Sequence, residues 1–357
     1  MMKDRVIVAM SGGVDSSIAA YLLLKQGYEV IGISMQIPYT NTTSEMGCCG
    51  IKGIDDAREV CQKLDIPFYS LNYEKEFEEK VIEYFCCEYI NGKTPNPCII
   101  CNEKIKWGSL FEKSKTFGAK YFATGHYVQI EYNPLKKRYF LKKAKDTKKD
   151  QSYFLFSLSQ TQLAHTKFPL ANYTKEEVRE LAKKIELKVH DKPGSQEICF
   201  ISNKNYYKFV ESRGLADNFK SGPIINEKGE VLGKHSGIAF YTIGQRKGIG
   251  AHEKPFYVIQ IDSKKNTIVI GEEKELYQKI FFAKDVNLIA FDEKEFIKPI
   301  KVKAKIRYKH IEKNATIFPL ENGTIRIEFD ELQKSITPGQ AVVFYDEDII
   351  IGGGWII

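Results

Sequence analysis

The 357-residue chain is poorest in the features that would set it apart from ordinary globular proteins. No stretch reaches the roughly 20 unbroken apolar residues that a membrane-spanning helix needs. The first residues, MMKDRVIVAM, put a charged pair directly before an apolar run. They have neither the apolar core of a secretory leader nor the Arg/Ser-rich character of an organelle-targeting one. The expectation is a soluble, cytoplasmic protein without a membrane partner. Glycine (26) and proline (12) are too few for a collagen or a low-complexity chain, and eight cysteines are too dilute for a disulfide scaffold. Without an export signal these cysteines read first as thiols, persulfide carriers or metal ligands. No G-x-x-x-x-G-K-[ST] occurs anywhere, so a Walker-type NTPase has no support. His165, His190, His235, His252 and His310 lack metal-ligand spacing.

What is present is 43% hydrophobic and 12% aromatic, enough for two or three buried cores. The net charge of +7 is a mild basic excess that suits a polyanionic partner. Over the first half, strand-like and helix-like periods alternate. Arg5–Ala9 reads as a buried strand, Ser16–Gln26 as a helix with Gly27 at its C-terminal cap, and Val30–Ser34 as a second strand. Ile54, Ala57, Cys61 and Leu64 follow at helical spacing, then strands at Pro67–Leu71 and Tyr121–Thr124. That alternation predicts an α/β fold with a doubly wound, mostly parallel sheet. After about residue 205, short β-type runs take over: Ile238–Thr242, Phe256–Gln260, Thr267–Ile270, Lys301–Tyr308, Ala315–Phe318, Thr324–Phe329 and Ala341–Tyr345. Turn residues between them suggest small β domains, the last a β-barrel. The expected division is 1–205, 206–280 and 281–357.

Between the first strand and first helix lies Ser11-Gly-Gly-Val-Asp-Ser-Ser17. Two glycines let an anion approach the backbone, and the amides at a helix N-terminus point toward it. The loop resembles the PP-loop of ATP pyrophosphatases, which cut ATP between the α and β phosphates. Asp15 is expected to help hold Mg²⁺ on the departing pyrophosphate.

The cysteines divide by context. Cys61, Cys86 and Cys87 sit in helical patterns and read as small buried hydrophobes. The adjacent pair Cys48-Cys49 has no assigned role. Cys101 lies in Thr94-Pro-Asn-Pro-Cys-Ile-Ile-Cys-Asn102, where two prolines predict an extended loop and Asn102 an N-cap for a helix from Glu103. A thiol there, with Lys104 and Lys106 nearby, is expected to ionise readily. Cys199 ends a second polar loop, Lys192-Pro-Gly-Ser-Gln-Glu-Ile-Cys199. Two loop thiols beside an adenylating site suggest sulfur transfer.

Segments in order then extend the pattern along nearly the whole chain: Met10–Ser17, Thr94–Pro97, Cys101-Asn102, Ala123–Tyr127, Lys149–Leu155, Ser195–Phe200, Tyr241–Gly248 and Thr337–Gln340. Together they resemble the tRNA-specific 2-thiouridylase (MnmA) family. The resemblance implies that Ala9, Met10, Ser11, Gly12, Gly13, Val14, Asp15, Ser16, Met35 and Gly125 bind ATP. It implies Cys101 as nucleophile, Cys199 as persulfide carrier, and Asn96, Pro97 and Cys98 facing the target base. His126, Lys149, Asp150, Gln151, Arg307, Tyr308 and Gln340 would contact tRNA. The implied reaction replaces the C2 oxygen of the wobble uridine, position 34, with sulfur. The implied partners are tRNAs for Lys, Glu and Gln, and a sulfur donor, either a cysteine desulfurase or a relay protein. One departure stands out: many family members carry Asp where this chain has Cys98. Cys98-x-x-Cys101 with Cys199 also reads as three ligands of a [4Fe–4S] cluster.

Two basic segments fit a nucleic acid. Lys301, Lys303, Lys305, Arg307 and Lys309 alternate with apolar residues, which on a strand would place them on one face about 6.6 Å apart. Lys136–Lys149 holds eight Lys or Arg. Two other readings compete: a PP-loop ligase or amidotransferase acting on a small molecule, and an RNA-binding protein with a relic nucleotide loop.

Overall fold

The computed structural model describes residues 3–38, 50–194, 198–201, 206–213, 220–320 and 323–357. Cys48, Cys49 and Ser195–Glu197 lie outside the described residues. The chain divides into two compact units. One holds residues 1–82, 98–204 and 348–350, and the other 83–97, 205–347 and 351–357.

The first unit is built on a parallel sheet. Its strands are β1 (Arg5–Ala9), β2 (Glu29–Gln36), β3 (Phe68–Asn72), β4 (Tyr121–Ala123), then β7 (Thr166–Lys167), in the order β3-β2-β1-β4-β7. Strand β1 is central, so Val6, Ile7 and Val8 are wholly buried; each contributes about 1.5–3 kcal/mol by leaving water. Helix α1 (Val14–Lys25) covers the sheet with Ile18, Ala19 and Leu23 and stops at Gly27, whose φ of +88° suits a glycine past a helix end. Helix α2 (Ile51–Lys63) buries Ala57, Val60 and Cys61. Between β4 and β7, β5 (Val128–Asn133) and β6 (Arg138–Lys143) form an antiparallel hairpin.

The second unit contains two β assemblies. A four-stranded sheet runs β10-β11-β8-β9, from β8 (Gly222–Ile225), β9 (Val231–His235), β10 (Tyr257–Asp262) and β11 (Thr267–Gly271). The last six strands close on themselves as β12-β15-β14-β13-β16-β17, with β17 pairing back to β12. They are β12 (Tyr277–Leu288), β13 (Ile300–Lys305), β14 (Lys313–Pro319), β15 (Ile325–Lys334), β16 (Ala341–Asp346) and β17 (Ile349–Ile356). Closure removes free edges, and alternate residues such as Val302, Ala304, Ile317, Ile327 and Phe344 fill the interior.

The α/β class and the terminal barrel agree with the sequence. Three local expectations differ. Ile238–Phe240 is a 3₁₀ turn, not a strand, because Gly237 with φ +153° breaks the extended chain ahead of it. Strand β13 ends at Lys305, so only Lys301, Lys303 and Lys305 share a strand; Arg307 and Lys309 lie in the turn after it. Cys61 and Cys86 are buried, but Cys87 is exposed.

Candidate active site

The phosphate loop stands where β1 delivers the chain to α1. Met10 N–H donates to Ile33 O at 2.8 Å, extending the β1–β2 pairing by one residue. Gly12 then turns with φ +67°, a region that favours glycine. A Cβ on Gly12 would stand 2.0 Å from Gly53 O of α2, and one on Gly125 would stand 2.6 Å from Asp15 C and Ser16 N. Both glycines are required by close backbone approach. Gly13 caps α1 without any side-chain bond to its first amides, so those donors keep their outward direction. The serines brace the loop from within. Ser16 and Ser17 hydroxyls donate to Gly13 O at 3.1 and 2.9 Å, and Ser11 N–H donates to Ser16 Oγ at 3.2 Å.

Asp15 is the charged centre of the site. Lys175 Nζ reaches its two oxygens at 2.6 and 2.7 Å, and Tyr127 O–H donates to Oδ1 at 2.7 Å. Lys175 opens the helix Lys175–Lys184, whose start is fixed by a reciprocal pair between Thr174 and Glu177. Its own N–H donates to Asp146 Oδ2, and Asp146 Oδ1 also accepts from the amides of Lys148 and Lys149. Burial pushes the Lys175 ammonium pKa down, against an upward pull from Asp15. Burial first, then the Asp15 charge, pushes the Tyr127 phenol up, so it stays a donor. Lys192 braces the other side, with Nζ 2.9 Å from Gly12 O and 2.5 Å from Asp56 Oδ2. The sequence assigns no site role to Lys175, Lys192 or Tyr127, although Lys192 and Tyr127 bound segments it singles out. The Thr174-x-x-Glu177 spacing could have signalled the helix start that carries Lys175.

Cys101 does not precede a helix. Three consecutive helical segments, Pro97–Ile100, Cys101–Leu110 and Phe111–Lys115, begin at Pro97. Proline with its fixed φ is suited to a first helical position, so Pro97 starts the helix instead of prolonging the loop. Asn102 is therefore inside it and buried, donating to Phe154 O at 3.2 Å and accepting from Lys106 Nζ at 3.0 Å. Exposed Cys98 occupies the first turn; Cys101 is half-buried in the next one, where the helix-end field has weakened. Lys104 pairs with Glu103 at 2.6 Å. Cys199 is half-buried beside Phe200, whose ring meets Phe77 edge-on at 5.7 Å. Among the described residues no group of three or more His, Cys, Asp or Glu lies close enough to hold a metal ion. The iron–sulfur reading of Cys98, Cys101 and Cys199 gains no support from this.

Met10 and Met35 are buried at the loop's sheet side. His126 packs against Trp107 at 5.5 Å, and its Nδ1 lies 2.7 Å from Thr124 Oγ1. Burial, then Lys106, holds His126 well below the usual imidazole range, so the ring is neutral. Asp150 accepts from Ala144 N–H and the Ser152 hydroxyl, while Gln151 Oε1 accepts from Tyr127 N–H. Gln151 thereby holds the segment ahead of β5 that carries Tyr127 to Asp15. Lys149 is exposed.

In the second unit, three of the sequence segments converge. Gln340 Nε2 donates to Thr94 O at 2.8 Å, Thr94 N–H donates to Pro338 O at 2.9 Å, and Thr94 Oγ1 donates to Thr242 Oγ1 at 3.1 Å. Gly339, with φ +88°, lets Lys93 and Thr94 come close. Gln340 thus anchors the run leading to Asn96 and Pro97. Arg307 is exposed and donates to Lys334 O at 3.2 Å. Tyr308 lies 5.8 Å from Lys305 Nζ. No described helix is long and apolar enough to cross a membrane.

Family models divide the chain in three. One described as a tRNA methyl transferase HUP domain matches residues 4–203, a tRNA methyl transferase PRC-barrel domain residues 209–272, and an aminomethyltransferase beta-barrel domain residues 278–356. The tRNA-specific 2-thiouridylase MnmA of Acetivibrio thermocellus is 51% identical over 361 residues, covering 100% of both chains. The Clostridioides difficile protein of the same description is 49% identical, covering 99% of this chain and 98% of its own. That of Halothermothrix orenii is 48% identical, covering 99% of each. With an uninterrupted phosphate loop and similarity along its whole length, the chain belongs to the tRNA-specific 2-thiouridylase family.

Proposed function

We propose that the protein is an ATP-dependent tRNA sulfurtransferase that converts wobble uridine 34 to 2-thiouridine. What carries the reading is a phosphate loop lying in the same compact unit as Cys101 and Cys199, in a chain similar end to end to 2-thiouridylases. ATP lies along Ala9–Ser16 with Met35 and Gly125, its phosphates at the uncapped α1 amides. Mg²⁺ needs few protein ligands when phosphates supply the rest, and Asp15 offers one carboxylate for it.

The chemistry follows from leaving groups. A uracil carbonyl oxygen leaves poorly. Attack by O2 on the α-phosphorus breaks the bond to the β-phosphate, releases pyrophosphate and sheds the N3 proton, leaving an adenylated base. The terminal persulfide sulfur on Cys199 bonds to C2, and AMP departs with the oxygen and the bonding pair. The Cys101 thiolate then attacks Cys199 Sγ, freeing 2-thiouridine and leaving a Cys101–Cys199 disulfide that two electrons from an external thiol reductant must reopen. Asn96, Pro97 and Cys98 face the extruded base. Lys149, Arg307 and Tyr308 contact tRNA, with His126, Asp150, Gln151 and Gln340 in support through the bonds they make. The acceptors are tRNAs for Lys, Glu and Gln, the sulfur comes from a cysteine desulfurase or a relay protein, and the setting is cytoplasmic. The three family-model spans support a division at 1–205, 206–280 and 281–357.

Pyrophosphate release measured with and without unmodified tRNA tests the reading. Release that requires tRNA, together with AMP formation, supports it. A small-molecule ligase would release pyrophosphate without tRNA, and a relic nucleotide loop would release none.

A further inference from the structure

A PP-loop carries no lysine of its own, unlike a Walker loop, so the charge facing the phosphates must come from elsewhere. Within the first unit two lysines distant in sequence reach the loop. Lys192 is committed, bonded at once to a loop carbonyl and to Asp56. Lys175 is different. Its side chain is only 7% exposed, and its ammonium is spent on both oxygens of Asp15. The other charges acting on it, Arg179 and Lys149, are positive. Lys175 also breaks a local rule. It is the first residue of its helix, where the macrodipole disfavours a cation, and the capping pair Thr174–Glu177 holds it there. A buried cation at an unfavourable helix position, aimed at the charged centre of a phosphate loop, is a departure of the kind that functional sites carry.

We propose that Lys175 is the phosphate cation of this site. It turns from Asp15 to the β- and γ-phosphate oxygens of ATP, and holds the pyrophosphate as the bond between the α-phosphorus and the bridging oxygen breaks. The inference rests on the adenylation reading above. In the step itself the electron pair leaves with the pyrophosphate oxygen, the uracil O2 bonds to phosphorus, and nothing is oxidised or reduced. Lys175 keeps its proton throughout and offsets the charge that develops on the leaving group. Its departure exposes the Asp15 carboxylate to a divalent cation, so one movement readies both sides of the pyrophosphate.

The test compares ligands that differ only in phosphates. Calorimetric affinities for ATP, AMP and inorganic pyrophosphate are measured on the full chain and on Lys175→Met. The variant is expected to lose at least about tenfold for ATP and pyrophosphate, the worth of one charge-assisted bond, and to keep AMP within about twofold. Lys175→Met alone leaves the half-buried Asp15 carboxylate without its counter-ion, a burden on stability that could mask the effect. The double variant Asp15→Asn/Lys175→Met removes that burden and is compared with Asp15→Asn. Weaker pyrophosphate binding by the double variant supports the proposal. Equal binding overturns it and reduces Lys175 to a partner for Asp15. A wild-type chain binding neither ATP nor pyrophosphate would overturn the adenylation reading along with it.

Discussion

At the residue scale, the loop depends on two positions where no side chain fits. Gly12 needs both its positive φ and the space against Gly53 O, and Gly125 needs contact with the backbone of Asp15 and Ser16. Because these neighbours are backbone, the loop must shift to admit a methyl group, at about 1–3 kcal/mol. Gly125→Ala is therefore expected to weaken ATP binding at least about tenfold, read by calorimetry; unchanged affinity would remove Gly125 from the site. The thiols give a second expectation: Cys199→Ser should abolish thiolation while ATP affinity stays intact, and full thiolation by that variant would refute the persulfide assignment. The loop glycines and the pair Cys101 and Cys199 could be named from the sequence because neighbouring residues carry their meaning. Lys175 and Lys192 could not, since 160 and 180 residues separate them from Asp15 and Gly12, and no local period records such a contact.

At the scale of elements, the strand–helix alternation is readable wherever an element is central with an apolar run, as in Val6–Ala9 of β1 and Val30–Ile33 of β2. It failed where a single residue decides a boundary. Pro97 starts a helix where two prolines suggested a loop, and that moves Cys98 into the first turn in place of Cys101. The Lys301–Lys309 alternation continues in burial, yet the strand ends at Lys305. Beyond that end His310 is held down to about 4 by burial and then by Arg307, with Nδ1 buried and unbonded. Its folded value is below the ordinary 6.5, so the unfolded chain binds a proton between about 6.5 and 4 that the folded chain refuses. Stability is full above pH 6.5 and falls as the pH drops toward 4; neutral His126 acts in the same direction. Melting temperatures at pH 7.5 and 5.0 should differ less for His310→Leu than for wild type, and an unchanged difference would assign the loss elsewhere. Gln340→Ala removes the bond to Thr94 O. It should cut thiolation without changing ATP affinity, since its contacts lie on the run leading to Asn96 and Pro97, which we propose faces the base, and not on the phosphate loop.

At the scale of the whole molecule, the charge of +7 is modest, but cations concentrate in Lys136–Lys149 and Lys301–Lys309. Binding that relies on phosphate contacts releases counter-ions, so tRNA affinity should fall steeply and log-linearly with salt. A flat dependence would place recognition elsewhere. The resemblance along eight ordered segments made the family legible before any geometry, because each segment serves a backbone turn, a thiol or an anchoring bond. Composition alone reaches only a mildly basic globular protein of two or three cores; periodicity adds the α/β domain and the β domains after it.

The central claim is that two thiols and a PP-loop perform the thiolation without an iron–sulfur cluster. It is tested most directly by anaerobically prepared, demonstrably iron-free protein given unmodified tRNA, ATP, Mg²⁺ and a cysteine-desulfurase persulfide source. The readout is 2-thiouridine by mass. The account predicts robust product that Cys101→Ser and Cys199→Ser each abolish. Absence of product from the iron-free protein, restored only when a cluster is rebuilt, would contradict it.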